Sequence, residues 1–123
     1  MPPAAPAPSA AVAASPRTAL ARVALEAALA VPDVVAGEAG TRGLRVTADP
    51  AGQLLRGVSV TAERDGRFTV DLLLVARVTP LLPLGETVRR RIFASARRQG
   101  LADDLAAVNV EFAQLLAAGE EGR

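Results

Sequence analysis

Cysteine, histidine, tryptophan, tyrosine and lysine are all missing from this chain of 123 residues. Without cysteine or histidine there is no thiol nucleophile, no imidazole base and no ligand set for a structural zinc site. The lack of cysteine also leaves the redox compartment open, because neither a disulfide framework nor a reduced thiol can be argued. Without lysine there is no Schiff-base chemistry and no phosphate loop of the GxxxxGK[ST] type. Carboxylates, hydroxyls and arginine are all that remain for catalysis. Long apolar runs are missing as well, since no stretch reaches the roughly 20 residues of a membrane span. The opening MPPAAPAPSAAVAASP holds five prolines and no charged side chain. It therefore has neither the basic start nor the unbroken apolar stretch of a secretion signal. A cytoplasmic location is the expectation.

What is present suits one packed domain: 50% hydrophobic and 22% charged residues with a net charge of +1. All 14 basic residues are arginine, a bias that GC-rich coding produces and that carries no functional weight here. Residues 1–14 form a Pro/Ala tail without apolar periodicity and read as disordered. Residues 15–117 read as a single domain and residues 118–123 as a polar C-terminal tail.

Ser15-Pro16 is a helix entry, with serine as N-cap and proline in the first turn. The helix is expected to run to about Val31 and to stop at Pro32-Asp33. Leu20, Val23, Ala24, Ala27 and Val31 share one stripe at the 3.6 period, with Leu25 and Leu29 nearly opposite as a second contact surface. The glycine-containing stretch 33–43 is a loop, with room for a short strand at Val34-Val35. GLRVTAD, residues 43–49, alternates with Leu44, Val46 and Ala48 inward. Asp49-Pro50-Ala51-Gly52 makes a turn, and Val58, Val60 and Ala62 line a second strand. Asp65-Gly66 marks a two-residue hairpin turn with positive φ at both positions. FTVDLLLVAR, residues 68–77, is apolar on both faces in its second half, which places it centrally in the sheet. TPLLPLG breaks the chain before a helix from about Leu84 to Gly100, and VNVEF, residues 108–112, is the last strand. The order is α-β-β-β-α-β: an α/β (α+β) domain with its helices on one face of a mainly antiparallel sheet.

The segment VRRRIFASARRQG, residues 88–100, gathers five arginines and one phenylalanine. A helical wheel sets Leu84, Val88, Ile92, Ser95 and Ala96 on one stripe. Arg90 and Arg97 point directly away from it, Arg91 and Arg98 share a flank, and Arg89 takes the other with Phe93 on the polar side. One explanation is a solvated face whose arginines pair with carboxylates elsewhere. An exposed Phe93 among arginines favours a protein partner, because both types are enriched at interface centres. The candidate partner-binding residues are Arg89, Arg90, Phe93 and Arg97, with Leu73 and Val75 on the outer sheet face. Nucleic acid is disfavoured by the balanced charge and by having only three phenylalanines. Gly37-Glu38-Ala39-Gly40 does match the GxxG loop of KH domains, and a KH-like binder using Arg42, Arg45 and the arginine helix is the alternative. The acids Asp49, Asp71, Asp103 and Asp104 read as turn formers, caps and sheet-face groups rather than as a general acid and base. No catalytic residue, metal site or cofactor is expected.

GLRVTAD followed by a hairpin, VDLLLV, PLGETVRRRI with its Val-x-x-x-Ile spacing, and the closing Val108-Asn109-Val110 together resemble the alkaline shock protein family of envelope stress response proteins. The resemblance covers about residues 17–115 and is to the short form found in GC-rich Gram-positive bacteria. It implies a small α/β sandwich and a non-enzymatic role. Such proteins are abundant in the cytoplasm, self-assemble, and are held near the membrane by a small membrane-anchored partner. The family carries no catalytic residues to transfer.

Overall fold

The computed structural model describes residues 15–117. The expectations for the two tails, residues 1–14 and 118–123, fall outside the described residues. Helix α1 (Pro16–Leu29) begins where Ser15 Oγ accepts the Thr18 amide at 3.3 Å. Its buried arc is wider than a single stripe and takes in Leu20, Ala21, Ala24, Leu25, Ala27 and Ala28. Leu25 therefore belongs to the core rather than to a second contact surface. Alanines at 21, 24 and 28 let the helix approach the sheet and the second helix together, so two sides of it are covered. Leu29 alone of the proposed second strip stays exposed.

Strands β1 (Val34–Gly37), β2 (Val46–Ala48), β3 (Leu54–Arg56), β4 (Val58–Ala62) and β5 (Phe68–Arg77) follow, then helix α2 (Leu81–Arg98) and strand β6 (Leu105–Leu116). Strand β5 is the centre of a four-stranded sheet, as its two apolar faces predicted. Along one edge β4 pairs antiparallel with its first half, Val58 against Leu72 through Ala62 against Phe68. On the same edge β1 pairs with its second half, Gly37 against Leu74 and Val34 against Ala76. Strand β6 takes the whole of the other edge and runs parallel, Phe68 against Leu105 through Arg77 against Leu116. The parallel sense follows from the connection: a helix carries the chain back from one end of β5 to the other.

The result is one small α+β domain with a mainly antiparallel sheet and both helices on its inner face. Val58, Val60, Val70, Leu72 and Leu74 of the sheet meet Leu20, Ala24 and Ala28 of α1 and Leu84, Val88, Ile92 and Ala96 of α2.

Four local expectations are corrected. The second helix starts at Leu81 rather than Leu84, because Pro83 sits in the first turn, where an amide has no intrahelical acceptor to lose. The last strand is 12 residues long rather than five, since pairing along all of β5 recruits alanines that have little strand preference of their own. Leu44 is 64% exposed and Ala48 is exposed as well, instead of inward; positive φ at Gly40, Arg42 and Gly43 coils the chain just ahead of Leu44 and delays β2 to Val46. At the β4–β5 hairpin the Glu63 amide bonds the Arg67 carbonyl at 2.8 Å and the Gly66 amide bonds the Glu63 carbonyl at 3.1 Å. The loop is thus three residues, Arg64 to Gly66, and within it only Gly66 has positive φ, the form with a glycine bulge. Strands β2 and β3, the second of them not foreseen, form a separate hairpin tied to β4 by the Gly57 amide on the Arg45 carbonyl at 2.7 Å and by Thr47 Oγ1 on the Val58 carbonyl at 2.9 Å.

Candidate functional site

Helix α2 buries the predicted stripe and turns its arginines outward, but the arginines are not equivalent. Arg89 is engaged: Nη1 contacts Glu86 Oε1 at 2.5 Å, and Nε donates to the Val108 carbonyl of β6 at 3.1 Å. Arg90 reaches only the Thr87 hydroxyl, at 3.3 Å, and Arg98 only the Ser95 hydroxyl, at 2.8 Å. Arg90, Arg91, Arg97 and Arg98 are exposed, and among the described residues none of them has a carboxylate partner. Carboxylates of the described residues therefore do not neutralise these four. Arg97 and Arg98 lie in the last turn, where the helix dipole favours cations. Arg90 and Arg91, in the middle of the helix, have no such local reason. Among the described residues Arg42, Arg56 and Arg64 also lack an acid, but each sits on a different loop or strand rather than on a shared face.

The apolar members of the predicted set are less accessible than expected. Phe93 is half-buried and packs against the core, so the aromatic is not fully displayed among the arginines. Val75 is only 7% exposed. Leu73 is half-buried because the segment after β1 folds over the outer sheet face. There Arg45 Nη2 contacts Glu111 Oε1 at 2.9 Å, and a Cβ built on Gly40 would lie 2.9 Å from Leu73 Cδ2. A concavity of about 230 Å³ remains between Gly40, Thr41, Leu44, Arg45, Leu73 and Glu111. The structure brings Arg90 and Arg97 together on one surface and separates them from Leu73 and Val75, which lie on the far side of the sheet.

The GxxG stretch has a structural explanation that the sequence did not disclose. Gly37 lies inside β1, where a Cβ would fall 2.1 Å from the Arg56 carbonyl oxygen, and Gly57, at φ 98°, would place one 2.5 Å from Gly37 Cα. The two glycines stack backbone against backbone where β1 and β4 meet alongside Leu73. The Gly57 carbonyl accepts the Leu73 amide and the Leu73 carbonyl accepts the Glu38 amide, both at 2.9 Å. The first glycine of the motif is thereby committed to the sheet.

The acids are dispersed. Asp71 accepts from Asn109 Nδ2 at 3.0 Å, and Asp103 and Asp104 lie in a 3-10 turn. Among the described residues no three acidic side chains gather as a metal site would need. Further concavities of about 300 Å³, by Val31, Pro80 and Leu84, and about 240 Å³, between α1 and α2, hold one carboxylate each, Asp33 and Glu26.

Asp49 is the one buried charged side chain among the described residues. It accepts from Arg22 Nη2 at 2.6 Å and from the amides of Ala51 and Gln53 at 3.0 and 2.8 Å, which anchors the β2–β3 hairpin to α1. The Arg22 hydrogen bond, with help from the two amides and against the push of burial, holds the Asp49 carboxyl below the ordinary aspartate range. A depressed carboxylate contributes stability above its unfolded pKa and loses it as pH falls through its folded pKa. Asp49→Asn is therefore expected to lower the melting temperature at neutral pH. The gap to the parent protein is expected to close as acid takes the pH below the ordinary aspartate range, measured by thermal unfolding across a pH series. A gap that stays constant into acid would assign the effect to packing instead.

A scan against models of known protein families, a search of curated proteins and a search of solved structures each return no match for this chain. The likeness to the alkaline shock family rests on the residue patterns alone. Among the described residues no helix is long and apolar enough to cross a membrane.

Proposed function

We propose that this protein is a non-enzymatic interaction protein, docking an acidic protein partner on the solvent face of α2 and associating with copies of itself. The observation that carries this is the set of four exposed arginines on one helix face that have no carboxylate partner among the described residues, in a chain of net charge +1. Elsewhere the same molecule pairs its arginines where acids are near, as in Arg22–Asp49, Arg45–Glu111 and Arg67–Asp65. Charges of one sign crowded on a helix repel one another, so a partner carboxylate relieves them. The scattering of the acids supports a role without catalysis. The resemblance supplies the setting: the cell envelope, with the protein held near the membrane through a small membrane-anchored partner.

The reading is tested with three defined probes at two salt concentrations: a synthetic amphipathic helical peptide rich in glutamate, a single-stranded RNA, and vesicles containing anionic lipid. Saturable binding of the peptide, with neither of the other probes bound more tightly, is the expected result. Tighter binding of RNA, with the steep salt dependence of phosphate contacts, would replace this reading with the KH-like one. Preference for the vesicles would make the membrane surface itself the partner.

A further inference from the structure

Strand β6 is bonded along one edge only. Both the amide and the carbonyl of Leu73 are used on the β1/β4 side of β5, through Gly57 and Glu38, and the Arg77 amide is used there by Asp33. Odd residues of β5 therefore face that side and even residues face β6. In the parallel register Val70, Leu72 and Leu74 lie against Val108, Val110 and Phe112. Their bonds go to the residues flanking those three, so the amides and carbonyls of Val108, Val110 and Phe112 point away from β5. The Val108 carbonyl confirms the phase, because it is the one that Arg89 Nε caps at 3.1 Å. Among the described residues nothing else pairs this edge.

The edge lacks two of the usual guards. Its 12 residues, LAAVNVEFAQLL, include no proline and no basic residue; it extends about 40 Å at roughly 3.3 Å per residue, and its register with β5 shifts only beside Ala106 and Ala113, either side of the stretch 107–112. On the inner face Val110 and Phe112 are only half-buried where the core runs out beside α2. We propose that β6 is the self-association edge: the β6 strands of two copies pair antiparallel about a two-fold axis, joining two four-stranded sheets into one. This assignment rests on the self-association part of the function proposed above.

Three observations favour a second copy as occupant. Open amides and carbonyls at alternate residues are matched by another strand. The strand is also compatible with itself, since a two-fold axis at Val110 sets Glu111 opposite Asn109 of the second copy and avoids the like-charge pair that an axis at Glu111 would create. In that register Val110 and Phe112 of each copy extend the inner apolar layer of the other. Arg89 is then a plug: its guanidinium occupies the Val108 carbonyl until a second strand displaces it.

Amide hydrogen exchange on the full chain, recorded at low and high protein concentration beside sedimentation, tests this. Protection of Val108, Val110 and Phe112 is expected to rise with concentration in step with dimer formation. Val110→Pro removes an amide that makes no bond to β5, together with a half-buried side chain, and is expected to weaken association roughly tenfold or more with the circular dichroism spectrum retained. Arg89→Ala, which pulls the plug, is expected to strengthen it several-fold. Association without added protection on these three amides would overturn the β6 assignment and leave the broader reading standing. A protein monomeric at every concentration would remove both the assignment and the self-association on which it rests.

Discussion

Gly57→Ala is expected to destabilise the protein by about 3 to 5 kcal/mol, close to the whole stability of a marginal domain. Two physical effects coincide at this residue. Its φ of 98° lies in the region that side chains avoid, and the new methyl would sit 2.5 Å from Gly37 Cα and 3.0 Å from the Leu73 carbonyl oxygen. Those neighbours are backbone, so no rotamer change relieves the overlap, and β1 and β4 have to separate. Two companion variants divide the effects. Gly66→Ala carries a similar φ of 88° with nothing within 4 Å, so it isolates the backbone conformation and is expected to cost about 1 to 2 kcal/mol. Gly37→Ala has no positive φ but would bring its Cβ to 2.1 Å from the Arg56 carbonyl oxygen; it isolates the close approach and is expected to lie nearer Gly57→Ala. Urea unfolding of the three variants orders them. If Gly37→Ala proves as mild as Gly66→Ala, the stacked glycines are not what holds β1 and β4 against β5.

The second large effect is on binding. Arg90→Glu with Arg91→Glu takes the net charge of the chain from +1 to −3, since each reversal subtracts two. Both side chains are exposed, and neither has a carboxylate partner among the described residues. Surface substitutions of this kind shift stability by about 0.5 kcal/mol or less. Affinity for the glutamate-rich peptide is expected to fall by about a hundredfold or more, from the loss of two attractions and the gain of two repulsions. The association rate is expected to lose most of its dependence on salt. Calorimetric titration of the parent and the double variant at two ionic strengths checks both. Unchanged affinity in a folded variant would mean that α2 is a solvated face and that the acidic partner docks elsewhere.

Much of the architecture was legible because its signals are local. Ser15-Pro16, the 3.6-residue stripe Leu84, Val88, Ile92 and Ala96, the glycine turn before β5 and the two apolar faces of FTVDLLLVAR each lie within one short window of chain. The errors arose where pairing overrides local preference. The alanines on either side of VNVEF became strand only because β5 is there to pair with, and Leu54–Arg56 became a strand only by pairing with Val46–Ala48. Pro83 looked like a break, although it occupies the one turn of a helix that tolerates it.

The candidate surface was legible in composition but not in detail. The five arginines of residues 88–100 stand out in the sequence, yet nothing in their mutual spacing distinguishes Arg89, held by Glu86 and the Val108 carbonyl, from the four that have no carboxylate partner among the described residues. Phe93 likewise looked displayed on a wheel, and its packing against the core came from elements distant in the chain.

By itself the sequence determined that this protein lacks imidazole, thiol and amine chemistry, that two amphipathic helices flank a run of strands, and that one helix carries concentrated positive charge. Only the tertiary structure decided which charges are spent, which glycines are structural and which sheet edge is open. The physical reason is separation along the chain. Arg22 meets Asp49 across 27 positions and Arg45 meets Glu111 across 66, whereas periodicity and turn chemistry act between residues a few positions apart.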